Sequence, residues 1–168
     1  GVTCWRRLRE WQRRGVWRKL HRAMLDRLAE ADKLDWSRGA LDSRSLPAKG
    51  GGRDVGPNPT DKGKPGSKHH VLTDRHGTPL AAAVTAANVH DSRMLEPLLD
   101  AVAPVRTGRR GRPRRRPEKL HADKGYDYRR CRDACVVRGI RHRIARKGVE
   151  SKTRLGRHRW VVERTMAW

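Results

Sequence analysis

An α/β fold, a mixed sheet with helices packed on it, is what this sequence predicts, and three observations carry the prediction. From residue 36 onward, apolar runs of strand length alternate with stretches of helical periodicity. Two of those runs flank Asp74-Arg75-His76-Gly77 and read as a β-hairpin with glycine at the turn. The 168 residues amount to about one domain, and the 35% of hydrophobic residues come in blocks instead of being spread evenly, so a small core is within reach.

The elements follow in order. Residues 3–33 read as helix, with Gly15 separating a short turn (Trp5, Leu8, Trp11) from a longer stripe of Val16, Trp17, Leu20, Met24, Leu28 and Ala31. That stripe is expected to be buried, with arginines and lysines on the outer face. Residues 38–46, RGALDSRSL, form the first strand and carry Asp42. Residues 49–68 are rich in Gly, Pro and Lys and read as a flexible basic loop. The hairpin comes next, and then Asp91 is placed to cap a helix whose buried face is Leu95, Leu98, Leu99 and Val102, with Pro97 in its first turn or at a kink.

Residues 106–117, RTGRRGRPRRRP, cannot bury themselves and are expected to form a mobile loop. EKLHAD then makes a short strand ending at Asp123. Tyr128, Cys131 and Cys135 share one face of a helix that Gly139 closes, and Ile140, His142 and Ile144 alternate as another strand. The last element is a helix over 158–168 that carries Trp160, Glu163 and Ala167. The expected division is a helical N-terminal remnant over 1–35 and an α/β domain over 36–168. The chain starts at Gly1 and stops inside a helical pattern at Trp168, so both ends read as cut.

Charge narrows the function. There are 41 Lys and Arg against 18 Asp and Glu, a net charge of +23. Such an excess calls for a polyanionic partner, because neutralising phosphates is the main sequence-independent source of nucleic-acid affinity. Lys62, Lys64 and Lys68, and the loop arginines Arg109, Arg110, Arg112, Arg114, Arg115 and Arg116, are the candidate DNA contacts; a merely solvated loop is the plain alternative. Three cysteines cannot close a disulfide framework and suit a reducing compartment. No apolar run approaches the length that spans a bilayer, so no stretch of this sequence is expected to cross one, and the N-terminal residues do not read as a secretory signal.

Against this basic background, Asp42, Asp123 and Glu163 sit at the ends of apolar runs. Cutting a phosphodiester at neutral pH needs a nucleophile and relief of charge on two oxygens, which a pair of Mg²⁺ ions about 3.5–4 Å apart supplies. Carboxylates are the hard ligands such ions take. Spacing alone is a weak signal, since any three acids could be nominated this way. His121, two residues before Asp123 on the same strand face, could approach such ions, though packing suits it better. Cys131 and Cys135 lack the second Cys or His pair that zinc would need.

Local motifs add more. LDS at 41–43, GKPGSKHHVLTDRHGTPLA at 63–81, TAANVHD at 85–91, RRGRPRRRPEKLHADKGYD at 109–127, GIRHRIARKG at 139–148 and LGRHRWVVERTMAW at 155–168 occur in that order. Together they resemble the DDE transposases of bacterial insertion sequences, in particular the insertion sequence five group, from about Trp36 to the end. The resemblance implies an RNase H-like mixed sheet with flanking helices, in which Asp42, Asp123 and Glu163 are the catalytic residues and bind two Mg²⁺ (or Mn²⁺). It implies hydrolysis at the ends of a mobile element and attack of the freed 3′-hydroxyls on target DNA. Double-stranded DNA, an active homo-oligomer and a cytoplasmic, nucleoid-associated location follow from it. Within the family signature Tyr-x2-Arg-x3-Glu-x6-Lys, Arg159 and Glu163 match, Arg159 as a DNA contact, while Gly156 stands at the Tyr position and the Lys position lies past Trp168. The competing expectations are an inactive DNA-binding remnant and a nuclease that cuts without joining strands.

Overall fold

In the computed structural model, residues 1–108, 110–149 and 158–167 are described. Arg109, Gly156 and Trp168, each named above, lie outside them. The chain forms two compact units, Gly1–Leu34 with Ala103–Arg115, and Asp35–Val102 with Arg116–Trp168.

The first unit holds α1 (Val2–Arg13) and α2 (Val16–Glu30), separated at Gly15, whose φ of 66° is a left-handed conformation that suits glycine. The expected apolar stripe is rotated. The buried residues of α2 are Leu25 and Ala29, whereas Trp17, Leu20 and Met24 are exposed. Burial goes to the face where Asp26 accepts the backbone N–H of Arg106 at 2.8 Å, in the unit that also contributes the buried Val105. The segment expected to be a loop is pinned there by reciprocal backbone bonds between Val105 and Arg114 (2.8 and 2.9 Å).

The second unit is built on a six-stranded mixed sheet. β1 (Gly39–Pro47) lies at its centre, antiparallel to β3 (Pro65–Thr73) and parallel to β5 (Lys119–Ala122). β6 (Arg141–Ile144) extends the parallel side, and β4 (Pro79–Ala86) pairs with β3 as the expected hairpin. The glycine- and proline-rich stretch contributes a two-residue β2 (Gly56–Pro57) and the start of β3, so it is a loop over only part of its length. Central strands covered on both faces read as continuous apolar sequence, which is why Ala40 and Leu41 are both buried. Helices α3 (Leu95–Ala101), α4 (Arg129–Val137) and α5 (Trp160–Ala167) complete the unit, burying Leu95, Leu98 and Leu99, then Cys131 and Cys135, then Val161 and Val162.

The hairpin turn is held by one buried side chain. Asp74 accepts the N–H groups of His76 and Thr78 on Oδ1 (2.9 and 2.8 Å) and that of Asp35 on Oδ2 (2.9 Å), while Gly77 takes φ 94°. Asp74→Ala leaves three backbone donors without their acceptor, so urea denaturation should show a loss of about 2–5 kcal/mol. A loss below about 1 kcal/mol would mean that water replaces the carboxylate.

Candidate active site

Alternation along the strands gathers the acids. Side chains two residues apart on a strand share a face. Ala40 packs against Val161 and Val162 of α5, so Asp42, two residues on, faces the same helix. On β5, His121 pairs in register with Ala40, and its ring lies 5.1 Å from that of His158, just ahead of α5. Asp123, two residues past His121, therefore comes out beside Asp42.

The ladder between β1 and β5 ends at Leu41 and Ala122. Asp42 and Asp123 are the next residues: Asp123 lies just past the carboxyl end of β5, where open α/β sheets most often place their chemistry, and Asp42 lies within β1 at the point where its parallel pairing with β5 stops. α5 is fastened to the hairpin turn, beyond the start of β1, by Thr165, whose hydroxyl donates to the Gly77 carbonyl at 2.7 Å, and by Arg164, which donates to that of His76 at 2.5 Å. Glu163 follows the buried Val162 and turns outward, with its side chain 52% exposed.

Each acid has its own surroundings. Asp42 Oδ1 accepts the Ser43 N–H at 2.8 Å. Burial pushes its carboxyl up to about 6, and the charges of Asp123 and Glu163 push the same way, against the Ser43 bond and the Arg159 guanidinium. Asp123 Oδ1 caps the turn Lys124–Tyr126 by accepting the Gly125 N–H at 2.9 Å. Gly125 leaves room beside the carboxylate: a Cβ there would stand 3.0 Å from Asp123 Oδ1, so that side chain would have to give by a few tenths of an ångström.

Two charged residues come closer to the acids than their sequence context suggested. Arg159 is largely enclosed, 16% exposed, and lies 3.2 Å from Glu163 and 4.0 Å from Asp123. It neutralises the acids here instead of projecting toward solvent. Lys68, read from sequence as a loop residue, is a β3 residue 14% exposed, bonded to the Val89 carbonyl and to Asp91, both at 2.9 Å. Asp91 is thus an ion-pair partner and not a helix cap; the side chain at that turn is His90, which accepts the Ser92 N–H at 3.3 Å. No pattern in the sequence distinguished Lys68 from its neighbours Lys62 and Lys64, because its burial arises from β3 pairing on both edges. Lys64 pairs with Asp61 at 3.2 Å, and Lys62, Arg110, Arg112, Arg114, Arg115 and Arg116 lie on the surface. His121 engages His158 and not the acids, and burial lowers its imidazole to about 4. Cys131 and Cys135 are buried; Cys131 donates to the Ser92 carbonyl at 3.4 Å.

The donor set suits a hard divalent cation, being all carboxylate oxygen. Among the described residues no three His, Cys, Asp or Glu side chains are drawn together as a finished cage. The Arg159 guanidinium supplies positive charge between the second and third acids, where a cation would have to enter. An exposed glutamate on the first turn of α5 reaches a different rotamer at small cost, so the residues fit the ion without rebuilding the fold.

Comparison with known proteins gives the family. Residues 35–168 match the family described as "Transposase DDE domain". The chain is 48% identical over 155 residues to the inferred transposase of insertion sequence element IS402 from Burkholderia cepacia, covering 92% of this chain and 69% of that protein. It is 54% identical over 59 residues to the 16.2 kDa protein of insertion element IS402 from the same organism, where it spans 35% of this chain and 40% of the relative. Among solved structures it is similar to a chain of the simian T-cell lymphotropic virus intasome in complex with the PP2A regulatory subunit B56 gamma, with a TM-score of 0.52 and 18% identity over 80% of this chain and 38% of that one. That likeness shows the fold alone, an RNase H-like mixed sheet with flanking helices. The chain belongs to the transposase DDE domain family, a family of DNA-transposition catalytic domains.

Proposed function

We propose that residues 36–168 are the catalytic domain, preceded by a helical remnant over 1–35, and that Asp42, Asp123 and Glu163 are its catalytic and metal-binding residues. Divalent-metal use comes with the family; two Mg²⁺ (or Mn²⁺) ions is the number and kind we assign. The observation that carries the reading is the meeting of Asp42 and Asp123 where the parallel ladder between β1 and β5 stops, with the charge of Glu163 reaching Asp42.

The reaction assigned is hydrolysis at element ends followed by attack of the freed 3′-hydroxyl on target DNA. Divalent ions, when bound, activate the attacking oxygen and neutralise the leaving one. The chain's own residues do the rest. Asp42 and Asp123 each have one oxygen held by a backbone N–H, of Ser43 and of Gly125, which restrains their carboxylates before any ion binds. Glu163 is the adjustable ligand, and Arg159 holds it at 3.2 Å until the charge between the acids is replaced. Arg159, once released, is then free to meet a DNA phosphate.

Double-stranded DNA is the partner, at element ends and at target; the active form is a homo-oligomer, and its place is the cytoplasm, on the nucleoid. Lys62, Lys64, Arg110, Arg112, Arg114, Arg115 and Arg116 are assigned to the phosphate backbone, with Lys68 and Arg159 beside the acids. No helix among the described residues is long and apolar enough to cross a membrane. Affinity for DNA should fall with a log–log salt slope of about 0.9 per phosphate contacted, and fluorescence anisotropy between low and moderate salt checks it. A flat profile contradicts the electrostatic part of the reading.

One observation favours a second reading, a basic DNA-binding remnant without activity: Arg159 fills the gap between Asp123 and Glu163. Incubation with duplex DNA bearing element ends separates the readings. Joined product in Mg²⁺ supports transposition chemistry, nicked product alone leaves a nuclease, and bound but uncut DNA leaves the remnant.

A further inference from the structure

The face of β5 and β6 that carries His121 has no assigned task. Alternation and register fix what stands on it. Leu120, Ala122 and Ile144 turn inward and are buried. Lys119 and His121, with their in-register partners Arg141 and Arg143, therefore turn to the opposite face. His121 also pairs in register with Ala40, which packs against Val161 and Val162, so this is the side of the sheet on which α5 lies. α5 itself rests on β1 and β3. Beyond it, Arg141 and Arg143 are exposed and Lys119 is partly so.

Charge on this face is ordered along the strands. Lys119 and Arg141 stand side by side, and Arg38, just ahead of β1, lies at the same level, its guanidinium 2.5 Å from His158 Nδ1. Two residues on come His121 and Arg143. Two further on are Asp123 and, beside it, Asp42. Lys119 and Asp123 are four residues apart, about 13 Å along an extended strand. That length matches about four phosphates of one DNA strand, which rise about 3.4 Å each along the axis.

A merely solvated face explains this less well. Lys119 stands directly opposite Arg141, and like charges paired across strands destabilise a sheet. Among the described residues no carboxylate is within ion-pair reach of Lys119 or Arg143, while Arg141 reaches Glu118 at 3.8 Å on the surface. Cations that only guard a sheet edge belong on the edge strand. Here they continue onto β5, an interior strand. Unneutralised cations in a row call for a polyanion.

We propose that the exposed face of β5 and β6, with Lys119, Arg141 and Arg143, is a phosphate track that receives the backbone of duplex DNA and leads it along β5 to Asp123. The proposal rests on the reading of DNA as the substrate.

Lys119→Gln and Arg143→Gln, singly and together in the whole chain, test it, because neither change breaks an ion pair among the described residues. Fluorescence anisotropy with duplex DNA across a salt series is the readout. The log–log salt slope should shrink by about 0.9 for each residue replaced and by about 1.8 for the pair. The melting temperature should stay the same or rise, since a like-charged contact is relieved. A slope unchanged in the pair overturns the proposal even where affinity drops, because net charge alone then accounts for the loss. A melting temperature lowered by several degrees overturns it too, by making the residues structural. A flat salt profile in the unaltered chain is a separate result: it removes electrostatic DNA binding itself, and the track falls with that reading.

Discussion

Asp123→Asn is expected to reduce metal-dependent DNA cleavage by at least about 100-fold, the upper end of what is lost when even an outer partner of a metal ligand is removed. DNA affinity should stay the same or rise. The substitution keeps the shape of the side chain and its ability to accept the Gly125 N–H, so the turn Lys124–Tyr126 survives. What disappears is one negative charge between two others, in a chain of net charge +23 whose attraction to phosphate that charge opposes. Cleavage assays and anisotropy on the same preparation decide the matter. Retained cleavage excludes Asp123 from the site, and lost binding shows that the variant damaged more than a ligand.

The second large effect concerns stability and has the opposite sign. Asp42 titrates at about 6 in the folded chain, raised first by burial and then by Asp123 and Glu163, against an ordinary value of 3.8. The folded state therefore holds this proton more tightly than the unfolded chain does. Stability from the group is fully present below pH 3.8 and is lost as pH rises through about 6. At pH 7 without metal the ionised Asp42 is a liability of about 1–3 kcal/mol. Asp42→Asn should remove it and raise the melting temperature in EDTA by roughly 3–8 °C at pH 7, with the gain vanishing near pH 4. In the presence of Mg²⁺ the order reverses, because an ion that binds only the folded unaltered chain stabilises it. A variant less stable at pH 7 in EDTA would show that Asp42 is satisfied without a cation. The same carboxylate is thus a cost to the empty fold and a requirement of its chemistry, a common trade at functional sites.

How far the sequence foretold this arrangement depends on the range of the forces involved. Hairpin, parallel strands and α5 follow from local periodicity, and the turn at Gly77 from its backbone freedom, so the sheet was legible. The placing of Asp42 within one strand and of Asp123 at the end of another was legible too, whereas the pairing that makes those strands neighbours was not. The rotated face of α2 was not, because Leu25 and Ala29 are chosen by the distant segment around Val105, not by the apolar content of Trp17, Leu20 and Met24. Lys68 and Asp91 escaped for the same reason. One looked like a lysine of a basic loop and the other like a helix cap, and their pairing at 2.9 Å exists only after β3 is buried between its neighbours. Arg159 was visible as one turn ahead of Glu163, but its reach to Asp123 depends on where α5 docks.

The central claim is that three distant carboxylates form one divalent-metal site. Electron paramagnetic resonance of Mn²⁺ reads it most directly, since the six-line signal of the free ion fades on binding. With the unaltered chain the signal should fade as protein is added. It should be largely restored when Asp42, Asp123 or Glu163 is replaced singly by its amide, with Asp54→Asn as a surface control that changes nothing. If Mn²⁺ is bound equally by all of them, the three acids are not a shared site.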